Sequence, residues 1–197
     1  GLNRIYLLFD KLNFQTDFLV SCNRLVLKQY RDDFNGLKIK KFFNWQSYKH
    51  LNTDTENTIF IPPSLRSAMN GNILNGYFSY AGTVTNFAIQ LAYYMGFDEV
   101  ILIGVDHNFK DKGPPGKAIK SGSTDDNHFD PNYFSKGAVW QLPNYHAMEY
   151  GFNLCRKLFS SDSRKIVDCT LNGKLEIFEK HNFKEYLESS KLKNKKT

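Results

Sequence analysis

The sequence predicts an α/β protein in which helices cover both faces of a doubly wound, mostly parallel sheet. Short stretches rich in β-forming residues alternate with amphipathic helical stretches along the 197 residues. The apolar run Val100–Val105 is almost uninterrupted, which is typical of a parallel strand buried on both faces. Alternating strands and helices require right-handed crossover connections, so we expect a Rossmann-like sheet.

The first half of the chain contains several short predicted elements. Predicted strands cover Asn3–Phe9, Phe18–Cys22, Leu37–Phe43 and Thr58–Ile61. After Asn23, apolar residues at helical spacing indicate an amphipathic helix. Segment 64–80 is rich in Asn and Gly and is expected to be mostly irregular.

The clearest unit is AGTVTNFAIQLAYYMGFDEVILIGVDHNF, from Ala81 to Phe109. One helix face is formed by apolar residues at i, i+3, i+4, i+7, i+8 and i+11, namely Val84, Phe87, Ala88, Leu91, Ala92 and Met95. Gly96 is placed to end this helix. A long polar loop, 110–143, follows the central strand, and then come a helix over Asn144–Phe159 and a strand over Lys165–Cys169.

Composition favours one domain over residues 1–188 with a basic tail over 189–197. No apolar run is long enough for a membrane span and no signal segment is recognised, so a cytoplasmic location is expected. The three cysteines are widely spaced, which favours reduced thiols. The net charge of +6 owes four charges to tail lysines, and no aromatic-basic pattern typical of RNA modules is recognised. A small anionic ligand suits the remaining charge, and no nucleic-acid partner is predicted.

In open parallel sheets, ligands bind outside the carboxyl ends of the strands. The polar residues predicted at those ends are Asn23, Gly82, Thr83, Asp106, His107 and Asn108. Gly82 and Thr83 open a helix, where free N–H groups favour a phosphate, although Thr83 or Thr85 could simply cap the helix. Asp106 suits a ribose hydroxyl or a metal, or a structural turn.

His128 lies in the long polar loop beside Asp125, Asp126 and Asp130. These carboxylates are expected to raise the pKa of His128 toward neutrality or above, which suits a general base. The alternatives are an exposed loop histidine with no role, or His107 as the base. Because no two histidines have convincing metal-ligand spacing, no metal site is predicted.

The segments NRIYLLF, FLVSCNRLVLKQY, GTVTNFAIQLAYYMGFDEVILIGVDHNF and NHFDPNYF together resemble the bacterial sialyltransferase-like family, including the motility accessory factors that glycosylate flagellin. The resemblance spans roughly residues 1–180, and the unit ending in Gly-Val-Asp is its most specific part. The same superfamily includes proteins similar to 6-hydroxymethylpterin diphosphokinase.

The resemblance implies transfer of a nine-carbon acidic sugar from a CMP-activated donor to a hydroxyl on a glycan or protein acceptor. It implies that Asn3 and Asn23 hold the nucleotide and sugar, that Gly82 and Thr83 contact the donor, and that His128 is the base. The family places a tyrosine where this chain has Asn108, and Tyr133 is the expected substitute. An opening strand and a Gly-rich loop would precede Asn3.

The leading hypothesis is therefore a CMP-sugar glycosyltransferase that requires no cofactor. The second is a diphosphokinase, which needs magnesium held by Asp106, Asp125 and Asp126. The third is a non-catalytic ligand-binding domain. A homo-oligomer is compatible with all three.

Overall fold

The computed structural model describes residues 1–51, 56–62 and 69–194, with side chains to residue 190. Within these described residues the eight strands are β1 (Phe18–Ser21), β2 (Lys40–Asn44), β3 (Thr58–Ile61), β4 (Glu99–Leu102), β5 (Ala118–Lys120), β6 (Val139–Gln141), β7 (Lys165–Asp168) and β8 (Glu179–Lys180). Two three-stranded parallel sheets run in the orders β1-β2-β3 and β4-β7-β8. The α/β class and the parallel pairing are thus confirmed. The described parallel strands lie in two sheets, β5 and β6 form a third, antiparallel one, and a single doubly wound sheet stays a prediction.

The predicted strand over Asn3–Phe9 is wrong. Only Leu2 forms an isolated parallel bridge, with Val20, and Asn3 has a positive φ of 46°. A 3-10 helix (Ile5–Leu8) and the short helix α1 (Phe9–Leu12) follow. The apolar side chains of this segment are half-buried against the first sheet. A short apolar run has no periodicity that separates a strand from a packed helical turn.

The helix predicted after Asn23 is present. Asn23 caps α2 (Arg24–Gln29), since its side-chain oxygen accepts hydrogen bonds from the N–H groups of Leu25 at 2.9 Å and Val26 at 3.3 Å. The helix α3 (Arg31–Gly36) comes next and leads into β2. Segment 69–80 is mostly irregular with one 3-10 turn over Ile73–Asn75, and residues 63–68 lie outside the described part.

The predicted central helix is confirmed as α4 (Val84–Tyr94), and Gly96 has the positive φ, 85°, of a helix-ending glycine. One side of α4 packs with the first sheet through Phe87 against Val20 and Ile61. The other side contributes Ile89 to a second core that contains Phe152 and the strand residue Leu102. This position between the two sheets places the start of α4 beside the strand ends.

The strand after α4 is shorter and less covered than predicted. It ends at Leu102, and Ile103 is 60% exposed. Because β4 lies at the edge of its sheet, Val100 and Ile101 are only partly buried. The prediction that this strand, β4, is buried on both faces is therefore wrong.

The remaining segments pack on both parallel sheets, since Trp140 lies in the core of the first sheet and Phe152 in that of the second. The predicted helix after Asn144 is confirmed as α5 (Tyr145–Ser161), and the long polar loop contains the antiparallel pair β5 and β6. The last helix, α6 (Phe183–Asn194), extends through the predicted boundary at 188. Across the described ranges, no helix is long and apolar enough to cross a membrane.

Candidate functional site

A cavity of about 130 Å³ lies between the start of α4, the end of β4 and the loop around His128. Five of the predicted site residues line it, namely Thr83, Asp106, His107, Asn108 and His128. Thr85, Gly104, Val105, Phe109, Asn127 and Met148 complete its walls. The structure therefore brings together the residues that follow the strand and those that open the helix.

The start of α4 is shaped by its cap. The Thr83 hydroxyl oxygen accepts a hydrogen bond from the Thr85 N–H at 3.3 Å, so the capping role considered for Thr83 is real. Gly82 has a φ of 72° and lies so close to α5 that an added Cβ would meet Ala147 and Met148 at 3.3 Å. Gly82 does not line the cavity itself but permits the turn that presents Thr83 to it.

The chain after β4 is held in a turn by its neighbours. The Val105 N–H donates to the Thr170 hydroxyl at 3.0 Å, and the Asp106 carbonyl accepts from the Lys174 N–H at 2.8 Å. Gly104 and His107 both have positive φ, 72° and 52°. The Asp106 residue is exposed at the mouth of the cavity, which leaves its carboxylate accessible to a ligand.

His107 is packed more tightly than a surface histidine. Its Nε2 lies 3.0 Å from a Glu149 carboxylate oxygen, and its ring meets the Tyr145 ring edge-on at 4.8 Å. The side chain is 5% exposed, and Nδ1 is buried without a partner among the described residues. Because Glu149 occupies Nε2 and Nδ1 is enclosed, His107 is poorly placed to act as the base.

His128 has the geometry of an oriented base. Its Nδ1 lies 3.0 and 2.9 Å from the two carboxylate oxygens of Asp125, and the side chain is 23% exposed. With the proton on Nδ1 donated to Asp125, Nε2 carries the lone pair. The imidazole stacks on Tyr133 with 3.9 Å between ring centroids and 1° between planes.

The predicted rise in the pKa of His128 is wrong. Burial lowers the pKa of His128 below its ordinary value of 6.5, and the hydrogen bond and charge of Asp125 offset this only in part. The sequence showed the neighbouring carboxylates but not the aromatic rings that enclose the histidine. The consequence is a neutral imidazole at pH 7, which is the form that accepts a proton.

Asn127 fixes the His128 loop to the segment after β4. Its side-chain oxygen accepts a hydrogen bond from the Lys110 N–H at 2.7 Å, and its amide nitrogen donates to Asp111 at 2.7 Å. Its own N–H donates to Asp125 at 2.9 Å. One asparagine thus connects the carboxylate partner of His128 with the segment after β4, and no motif in the sequence singles it out.

Besides Gly82, three predicted site residues lie outside the cavity. Tyr133 is 4% exposed, its hydroxyl accepts from the Arg4 N–H at 3.4 Å, and burial raises its pKa to about 12. Asn3 accepts a hydrogen bond from the Ser21 hydroxyl at 2.9 Å, and Asn23 is occupied as the α2 cap. Tyr133 supports the His128 ring from behind instead of reaching the cavity.

The carboxylates named for a magnesium site do not converge. Asp125 faces His128, whereas Asp126 pairs with Lys110 at 3.6 Å. In the part of the chain that the structure covers, no three His, Cys, Asp or Glu residues form a group suited to a metal ion. Cys22, Cys155 and Cys169 are free thiols.

The chain matches no protein-family model, and no curated protein or solved structure is significantly similar to it.

Proposed function

We propose that this chain is a glycosyltransferase that moves a sialic-acid-like nonulosonic acid from a CMP-activated donor to a hydroxyl acceptor. One observation carries the proposal: His128, oriented by Asp125, lines the same cavity as Thr83 and Asp106. A neutral, oriented histidine beside a helix start can remove a hydroxyl proton next to a bound phosphate. The resemblance of the sequence to sialyltransferases supplies the donor class.

In the proposed reaction, His128 Nε2 takes the proton of the acceptor hydroxyl. The acceptor oxygen forms a bond to the anomeric carbon while the bond from that carbon to the phosphate oxygen breaks. The electron pair leaves with CMP, and attack on the opposite face inverts the anomeric centre. Asp125 then stabilises the protonated imidazole.

The departing phosphate is assigned to the start of α4. The helix dipole favours an anion there, and Thr83 presents the capped turn to the cavity. A volume of about 130 Å³ takes the phosphate and the reacting carbon, so the rest of the donor would extend over the exposed residues Gly104 and Asn108. Tyr133 is assigned to positioning the His128 ring, because its buried hydroxyl is turned to Arg4.

The proposal includes a doubly wound arrangement of the two parallel sheets. Leu2 pairs in parallel with Val20 at the free edge of β1, where a strand joining the sheets would run. In such folds the ligand crevice lies at the carboxyl ends of the strands, which is where the cavity lies.

Calorimetric titration tests the donor class. We expect CMP and CTP to bind in preference to ATP with magnesium or a pterin. A clear preference for magnesium and ATP would refute the assignment and favour the diphosphokinase hypothesis.

Variants test the base. His128→Ala should lower turnover of a CMP-sugar by about 10²- to 10⁴-fold, while CMP affinity changes little. His146→Ala is the matched control, since His146 is exposed on α5 and outside the cavity. Equal loss in both variants would remove the assigned role of His128, and absence of turnover in the wild type across hydroxyl acceptors would favour a non-catalytic binding domain.

A further inference from the structure

An exposed pair of aromatic rings lies at the end of β2. The chain turns there into a 3-10 helix, Trp45–His50, in which residues three apart lie above one another. Trp45 and Tyr48 consequently stack, with ring centroids 5.6 Å apart and planes at 8°. They remain 53% and 54% exposed, so both rings present large faces to solvent.

Buried contacts hold this pair in place. Phe60 meets both rings edge-on, at 6.4 Å from Trp45 and 5.4 Å from Tyr48. Asn44 accepts a short hydrogen bond from the Ser47 hydroxyl and donates to the Cys22 carbonyl at 2.7 Å. The turn is therefore tied to β1, and a ligand would find the rings already ordered.

The surroundings of the pair are basic. A concavity of about 530 Å³ is lined by Arg24, Trp45, Gln46, Tyr48, Lys49 and His50, which we call the aromatic-basic surface. No acidic residue is among these lining residues. Within residues 1–51, 56–62 and 69–190, neither Arg24 nor Lys49 forms an ion pair.

We propose that the aromatic-basic surface binds a nucleoside phosphate, with the base stacked on Trp45 and Tyr48 and the phosphate bound by Arg24 and Lys49. Stacking uses the flat face that every base has, so the site should tolerate different bases. Guanidinium and ammonium groups supply the donors and charge for the phosphate. The concavity falls within the usual size of small-molecule sites.

This site is separate from the cavity at α4 and goes beyond the proposed transfer, since it shares no residue with that cavity. Other ligands match it less well. A plain anion would leave the stacked rings in water, and an apolar peptide would leave the cations without partners. A ring joined to an anionic group satisfies both halves of the surface.

Tryptophan fluorescence offers a direct test. The chain has two tryptophans, and Trp140 is only 6% exposed. Quenching of the tryptophan fluorescence by an added nucleotide therefore reports on Trp45. We expect AMP, GMP and CMP to quench at concentrations within about tenfold of one another. Adenosine and ribose 5-phosphate, which each carry only half of the recognised chemistry, should bind at least tenfold more weakly by calorimetry.

Variants locate the site with AMP in the same calorimeter. Tyr48→Ala should weaken AMP binding by about 5- to 150-fold, the range expected for one stacked base, and Arg24→Ala should weaken it with a smaller salt dependence. Tyr150→Ala and Lys28→Ala are matched controls, because both residues are exposed and lie outside the aromatic-basic surface. Circular dichroism confirms that each variant is folded.

Several results would overturn this inference. Ribose 5-phosphate binding as tightly as AMP would indicate a simple anion site, and tighter binding of glucuronic acid would indicate an acidic sugar. A single-stranded oligonucleotide binding more than 100-fold tighter than AMP would indicate nucleic acid. Unchanged AMP binding in both Tyr48→Ala and Arg24→Ala would place the nucleotide elsewhere, such as in the α4 cavity. The transferase proposal is judged by turnover, so the two can fail separately.

Discussion

Gly151→Ala perturbs the contact between α5 and the turn that precedes α4. A Cβ at Gly151 would lie 2.3 Å from the Ala81 Cβ and 2.4 Å from the Asn86 amide nitrogen. That amide donates to the Ala81 carbonyl at 3.1 Å and the Met148 carbonyl at 3.0 Å. The substitution therefore forces two helices apart and breaks hydrogen bonds beside the site.

The expected change in the free energy of unfolding is the sum of two destabilising effects and one stabilising effect. Overpacking costs about 1 to 3 kcal/mol, and leaving a buried amide unsatisfied costs about 1 to 3 kcal/mol. Alanine in a helix interior is favoured over glycine by about 1 kcal/mol. We expect Gly151→Ala to lower the free energy of unfolding by about 1 to 5 kcal/mol, and to weaken CMP binding because Ala81 precedes the Thr83 turn.

Urea unfolding measures this loss, with an expected midpoint shift of about 0.5 to 2.5 M for a slope of about 2 kcal/mol/M. Gly36→Ala is the control, since Gly36 is also helical and a Cβ there meets nothing within 4 Å. That variant should be neutral or more stable. If Gly151→Ala proves as stable as Gly36→Ala, the tight contact between α5 and Ala81 is incorrect.

Three further predictions concern the site and its supports. Burial holds the pKa of His128 below 6.5, and the Asp125 carboxylate raises that pKa in part. Asp125→Asn should therefore move the acid limb of the kcat/KM profile to lower pH, and it should lower the plateau of the profile about tenfold or more because the imidazole loses its orienting partner. An unchanged pH profile would contradict the pairing of His128 with Asp125. Thr83→Ala should lower the free energy of unfolding measured in urea by about 1 kcal/mol, whereas Thr83→Ser keeps the hydroxyl and should not lower it. Equal stability of the two variants would show that the Thr83 cap does not stabilise α4. Lys180, whose side chain is 40% exposed, donates a hydrogen bond to the fully buried Asp168 carboxylate at 2.8 Å. Lys180→Ala should lower the free energy of unfolding by about 1 to 3 kcal/mol, and part of this loss should be recovered in the double variant with Asp168→Asn; simple additivity in a double-mutant cycle would refute the coupling.

The strongest sequence predictions rested on local physics. The helical spacing of Phe87 and Leu91 predicted α4, and Gly96 marked its end, because one amphipathic face and one glycine suffice for both. The cap role considered for Thr83 was equally local, since its hydroxyl reaches the N–H group two residues ahead. Parallel pairing followed from the alternation of strands and helices.

The failures came from contacts between distant segments. The strand predicted over Asn3–Phe9 is helical because its apolar side chains pack on the first sheet and Arg4 lies 3.5 Å over the Tyr30 ring. The pKa of His128 depends on enclosure by Tyr133 and Phe134, whose rings lie 3.9 and 5.2 Å away. No spacing within the loop carries information on such burial.

The sequence by itself determined the α/β class, the position of α4 and the cluster of polar residues after β4, because these follow from periodicity, capping and the abrupt end of an apolar run. Only the tertiary structure decided which polar residues meet. It brought His128 and Thr83 to one cavity while placing Asn3, Asn23 and Tyr133 in structural roles. The physical reason is that hydrogen-bond partners and desolvation are set by segments far apart in the chain, such as Asn127 with Lys110 and Arg4 with Tyr133.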